Sequence, residues 1–175
     1  MKTFSVKIKN TLYLMQDVII YSIIVIALEC VLYYYIFDED QNLFLFLTSL
    51  IIPIYLGTVL MPALILYCNY MKHNKKTRVT LEDKILIING DRIRLDSITE
   101  IIITATYQHF SGHKGATSLP YNDYFYYVKF STIEGKDFYL TSVLGYDLDK
   151  ELKEHYPELA FRYHTRSFPA IPKGS

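Results

Sequence analysis

Long apolar runs dominate the first half of the chain, and short alternating runs the second. Residues 18–37 carry one charge, Glu29, in 20 positions, and residues 43–67 carry none in 25. At about 1.5 Å rise per residue, either run can cross a hydrocarbon core of about 30 Å as a helix. Residues 38–42, Asp-Glu-Asp-Gln-Asn, leave room only for a tight connection. The pattern therefore predicts an antiparallel helical hairpin with both flanks on the same side.

From Thr77 onward the period changes from helical to alternating. Residues 78–82 alternate, and residues 85–88 lead through Asn89-Gly90 into residues 91–95. Asn-Gly between two such runs is a strong hairpin signal, because a type I′ turn needs positive φ at both central residues. Residues 98–107 read as a further strand rich in isoleucine and threonine. Residues 108–123, with Gly112, Gly115 and Pro120, read as a long loop. Strands resume over 124–133 and 136–142, turned at Glu134-Gly135. Leu144, Leu148 and Leu152 recur at four-residue spacing and predict one helix over 144–155, stopped by Pro157. Residues 160–168 read as an edge strand and 169–175 as a loose tail.

These elements divide the chain into an N-terminal segment with the hairpin (1–70), a basic juxtamembrane linker (71–78), a β domain (79–168) and the tail. The expected fold class is a two-helix membrane hairpin plus a β-rich α+β domain, a small barrel or curved sheet covered by one C-terminal helix.

Composition fits that segregation: 51% of residues are hydrophobic, yet 18 basic residues balance 18 acidic ones. Lys2, Lys7 and Lys9 precede the first apolar run, and Lys72, Lys75, Lys76 and Arg78 follow the second, while the connecting loop is acidic. The positive-inside rule then puts both termini in the cytoplasm and the chain in the inner (cytoplasmic) membrane as a multi-pass protein. Tyr33–Tyr35 and Tyr67 with Tyr70 suit the two interfaces. The basic group 72–78 is also placed to meet anionic headgroups at the membrane surface.

Cys30 and Cys68 lie within the apolar runs and make neither a disulfide framework nor a CxxC site. Glu29 sits at membrane depth, where a carboxyl serves an ion- or oligomer-linked role or bonds a hydroxyl such as Ser49 or Thr58. Pro53, Gly57 and Pro62 are expected to bend or loosen the second helix.

Catalytic signals are sparse. Ser111, Ser118 and Ser142 lack a nucleophile elbow, and no glycine-rich phosphate loop precedes a helix. Asp147, Asp149, Glu151 and Glu154 read as a solvated helix face. His109 and His113 are four apart but lack a third ligand, so no metal and no cofactor are expected, nor an enzyme. One cluster stands out as a candidate ligand site: Tyr107, His109, His113, Lys114, Tyr121, Tyr124 and Tyr126. Tyrosines beside basic side chains suit stacking on a ring and holding an anion, although a chain with 17 tyrosines also uses them for packing.

The run Ile85-Leu86-Ile87-Ile88-Asn89-Gly90-Asp91-Arg92-Ile93-Arg94-Leu95-Asp96-Ser97-Ile98-Thr99-Glu100-Ile101 resembles the opening strands of bacterial PH-like domains. Phe138-Tyr139-Leu140-Thr141-Ser142-Val143-Leu144 is similar to their last strand leading into the helix. Such domains, the YcxB-like proteins among them, often follow a two-helix membrane hairpin. The resemblance implies a non-catalytic binding or regulatory module that recognises a partner protein, a lipid or a small ligand, and it brings no catalytic residues. The long 108–123 loop and the tail after Pro157 depart from it. In layout alone the chain is also similar to antiphage CBASS effectors, which join two membrane helices to a β-rich cyclic-dinucleotide receptor. That likeness implies an antiviral role, with a nucleotide driving homo-oligomerisation of the helices. The bilayer and further copies of the chain are the expected partners on either reading, and a nucleic acid polymer is not.

Overall fold

The structure, a computed structural model, describes residues 2–112 and 122–172. Helix α1 (Ile8–Leu14) passes through Met15 into α2 (Gln16–Ile36). After the acidic turn, Asp40 caps α3 (Gln41–Tyr55) by accepting from the Leu43 N–H at 3.0 Å. A π-helical turn, Leu56–Leu60, joins α3 to α4 (Met61–Asn74), so the second long helix runs from Gln41 to Asn74. α2 and this second helix are both long and apolar enough to cross a membrane. Pro53 and Pro62 bracket the π-turn. Each lacks the N–H of an α-helical bond, and the wider turn absorbs the mismatch.

The β domain consists of two four-stranded sheets. The first is an antiparallel meander in which β1 (Lys2–Ser5) pairs with β2 (Arg78–Glu82), β2 with β3 (Ile85–Ile88), and β3 with β4 (Asp91–Arg94). Asn89 and Gly90 take φ of 54° and 97° between β3 and β4, as the Asn-Gly signal predicts. In the second sheet β5 (Ile98–Ala105), β6 (Tyr126–Thr132) and β7 (Asp137–Thr141) are antiparallel. β8 (Phe161–Thr165) then joins the far side of β5 in parallel.

Several expectations are corrected. The N-terminal segment, grouped above with the hairpin, contributes a strand to the β domain, where Phe4 of β1 is buried opposite Val79. Local pattern could not reveal this strand: it is four residues long and its partner lies beyond both long helices. The strand expected over 98–107 ends at Ala105, and a short helix, α5 (Tyr107–Ser111), capped by Thr106 and ended by Gly112 at φ 80°, takes up the start of the expected loop. The C-terminal helix α6 (Leu148–His155) starts four residues later than the leucine spacing predicts, because Leu144 to Asp147 form turns. Gly145 there lies against the Phe4 ring; a Cβ on it would come within 2.8 Å of Phe4 Cδ1.

Residues 71–78 are not a free linker. The first four extend α4, and the Asn74 side chain then pairs with the edge of β7. Its Nδ2 donates to the Tyr139 carbonyl and its Oδ1 accepts from the Thr141 N–H, both at 2.8 Å. The tail is docked rather than loose over 169–172. Asn69 bonds both the N–H and the carbonyl of Ile171, at 2.9 and 3.2 Å, and the Tyr70 hydroxyl donates to the Pro169 carbonyl at 2.7 Å. Asn10 of α1 reaches the Leu144 carbonyl at 2.8 Å. Asparagine amides, each offering a donor and an acceptor, thus join α1 and α4 to the backbone of β7, of the turn after it and of the tail.

Two apolar clusters result. One fills the space between the sheets and under α6, with Val79, Leu81, Ile103, Val128, Phe130, Leu148 and Leu152 at its centre. Tyr156 closes it, donating to the carbonyls of Glu82 and Ile85; burial pushes its phenol up to about 12, so it stays a donor. The other lies at the junction, where Leu14 of α1 and Ala63, Leu66 and Tyr70 of α4 meet Phe125, Tyr127, Val143 and Ile171.

Candidate ligand site

Helix α5 exists because Thr106 supplies its cap: the hydroxyl accepts from the His109 N–H at 3.2 Å and donates to Asp123 Oδ1 at 2.8 Å. One turn of helix then aims the His109 ring inward. Its Nδ1 lies 3.2 Å from the Asp123 carbonyl, which only accepts, so that nitrogen carries a proton. Its Nε2 lies 3.3 Å from Asp149 Oδ2 on α6, and the two side chains are 3% and 6% exposed. Asp149 is therefore not on a solvated face, contrary to the sequence reading. It is the first α6 acid to point inward, one residue after buried Leu148.

Tyr126 supports this pair from below. Its ring centroid is 4.7 Å from that of His109, and its hydroxyl accepts from the Asp149 N–H at 3.1 Å while donating to the Gly145 carbonyl at 2.9 Å. Burial, and after it the Asp149 carboxylate, push the Tyr126 phenol well above the usual tyrosine range.

Above the pair opens a cavity of about 780 Å³. Tyr107, His109, Phe110 and Gly112 of the α5 region form one wall, and Asp149, Lys150 and Lys153 of α6 another. Tyr163 and Thr165 of β8 and the pair Tyr13 and Tyr124 complete it. The aromatic rings support one another: Tyr13 meets Tyr124 edge-on at 5.2 Å, and Phe110 meets Tyr163 edge-on at 5.3 Å. Lys153 Nζ lies 4.8 Å from the Tyr163 centroid. Burial raises the phenols of Tyr13 and Tyr124, reinforced by nearby acidic groups, so both stay neutral. The arrangement sets aromatic faces and two ammonium groups around a floor whose histidine nitrogens are already engaged, so stacking and charge pairing are the contacts its walls can offer.

Of the residues singled out from sequence, Tyr107, His109 and Tyr124 line this cavity, and Tyr126 lies beneath it, fully buried. His113, Lys114 and Tyr121 lie outside the described residues. Sequence reasoning missed Tyr13, Lys150, Lys153 and Tyr163. Lys150 and Lys153, three apart on a helix, were the legible part; Tyr13 and Tyr163 arrive from the two ends of the chain. Among the described residues no three His, Cys, Asp or Glu side chains converge as a metal-binding group.

The other singled-out positions sit apart. Lys72, Lys75, Lys76 and Arg78 are exposed around the end of α4 and the start of β2. Glu29 accepts from the Thr48 hydroxyl at 2.7 Å, across the hairpin. Ser49 and Thr58, the partners the sequence offered, bond their own helix carbonyls instead. Glu29 Oε1 is enclosed without a partner. No protein-family model, curated protein or solved structure matches the chain.

Proposed function

We propose that this protein is a non-catalytic, membrane-anchored binding module whose β domain takes a small ring-bearing anion in the cavity between α5, α6 and β8. In this reading α2 and the Gln41–Asn74 helix span the inner membrane, both termini are cytoplasmic, and the chain assembles as a homo-oligomer. The observation that carries it is the cavity lining: Tyr13, Tyr107, Tyr124 and Tyr163 with Lys150 and Lys153 over a buried histidine–aspartate floor. The succession β2 to β7 in two sheets, followed by α6 across the core, supports a PH-like layout to which β1 and β8 are additions. With both ring nitrogens of His109 engaged by Asp123 and Asp149, the pair is a floor rather than a base awaiting substrate.

The test is calorimetric titration and thermal shift of the full chain in nanodiscs against nucleotides, other aromatic phosphates and carboxylates, and soluble lipid headgroups. A ligand of this class must raise the melting temperature as its concentration climbs past Kd. Lys150→Ala with Lys153→Ala should abolish the shift without lowering the unliganded melting point. If only ring-free headgroups bind, or nothing does while a protein co-purifies, the small-ligand reading fails.

One observation favours a second reading, a nucleotide-sensing effector that perturbs the membrane. Tyr13 lines the cavity and lies on α1, one turn before α2, so an occupant touches the base of a membrane-length helix. Dye release from vesicles on adding the ligand would support it; intact vesicles with bound ligand would leave the scaffold reading.

A further inference from the structure

Outside the two membrane-length helices, six large apolar side chains are exposed among the described residues: Ile8, Leu12, Tyr107, Ile133, Tyr163 and Phe168. Tyr107 and Tyr163 line the cavity already described. Ile8 and Leu12 stand four apart on α1 and so share one face of the helix. Ile8, at 81%, is the most exposed large hydrophobic side chain described, and Leu12 is 54% exposed.

The opposite face of α1 is fixed to the protein. Asn10 bonds the Leu144 carbonyl, and Leu14 is buried in the junction cluster with Ala63, Leu66 and Tyr70 of α4. The Ile8–Leu12 face therefore looks away from the β domain, and nothing among the described residues covers it. Only Met15 separates α1 from α2, so at 1.5 Å per residue Leu12 lies about 6 Å along the chain from the start of α2. Lys7 and Lys9 flank Ile8 and are exposed. A short helix with an apolar face, flanking lysines and a membrane-length helix as its direct continuation has the makeup of an interfacial segment.

We propose that α1 is an interfacial anchor. Ile8 and Leu12 sink to the level of the lipid backbone while Lys7 and Lys9 hold anionic headgroups, which fixes the tilt of the β domain against the bilayer. The occupant of this face is lipid, because the face is continuous with α2 and its charge complements an anionic leaflet. The inference rests on the reading that α2 crosses the membrane.

The chain contains no tryptophan, so a single introduced one reports without background. Full-length Ile8→Trp, Leu12→Trp and Ile24→Trp variants would be reconstituted in vesicles containing phosphatidylglycerol, with bromines placed either near the glycerol or deep in the acyl chains. The expected result is blue-shifted emission from all three, with Trp at positions 8 and 12 quenched by shallow bromines and at 24 by deep ones. Shallow quenching at position 8 should fall in purely zwitterionic vesicles and in a Lys7→Gln, Lys9→Gln background. Acrylamide access at 8 and 12 without bromine quenching, while 24 is quenched, would overturn the anchor and leave the spanning reading intact. Shielding from acrylamide without bromine quenching would also overturn it, in favour of a protein on that face. Failure to quench position 24 would overturn both readings together.

Discussion

Helices α3 and α4 form one continuous rod, yet α3 buries no side chain within the chain while α4 buries Ala63, Leu66, Tyr70 and Asn74. Those four positions follow spacings of three and four, the stripe by which a helix packs on protein. The stripe ends in an asparagine that pairs with the edge of β7 as a neighbouring strand would. In α3 the inward polar groups, Thr48 and Tyr55, meet only the facing helix, at Glu29 and Ser22. The first half thus leaves its apolar surface uncovered by the chain, while the second is apolar on one side because it packs into the junction cluster with Phe125, Tyr127 and Val143. The boundary between them is the π-turn.

The largest break in this contrast should come from Asn74→Ala. It leaves the Tyr139 carbonyl and Thr141 N–H beneath the helix without their side-chain partner, and orphaned buried groups cost about 1–3 kcal/mol each. Unfolding of the full chain in detergent should therefore lose about 2–4 kcal/mol; a loss of a few tenths would mean that the helix end is not seated on β7. Next comes Gly145→Ala, which drives a Cβ into the buried Phe4 ring and should cost about 1–3 kcal/mol. The double variant with Phe4→Ala should cost less than the sum of the two single changes, because the clash is then gone. Tyr70→Phe removes only the bond to the Pro169 carbonyl and should cost about 1 kcal/mol, with hydrogen exchange rising first at residues 169–172. At the far end of the scale, Leu45→Ala on α3 should change stability by less than about 0.5 kcal/mol, since that side chain is 61% exposed within the chain. A loss above 2 kcal/mol there would show that α3, too, is packed against protein, as in an oligomer.

Much of this architecture was legible in the residues. Uninterrupted apolar length gave α2 to within two positions and the start of the second helix, which runs seven residues past its apolar stretch, and Asn89-Gly90 gave its hairpin, because these signals are local. β1 escaped because Lys2–Ser5 becomes a strand only through its pairing with residues 78–81. Helix α5 escaped although its Thr cap and Gly112 were in view, because five residues carry too little periodicity to read. A smaller part of the site was found, through Tyr107, His109 and Tyr124. Asp149 was misread because a carboxylate on a charged helix looks solvated until its histidine partner, forty residues earlier, is brought against it. Asn10, Asn69 and Asn74 carried no pattern at all, since a polar residue near a membrane interface is the common case.

The pairing of β1 with β2 also constrains how the chain is made. Residues 2–5 must wait for residues 78–82, which emerge only after both long helices have been synthesised. If those helices insert in the membrane, Phe4 can reach Val79 only after an even number of crossings. A chain in which one helix fails to insert leaves β1 stranded across the bilayer from its partner, with the edge of β2 uncovered. Closing the sheet is then coupled to insertion of both helices, and a chain with one helix left out would carry an exposed strand edge open to pairing with another chain.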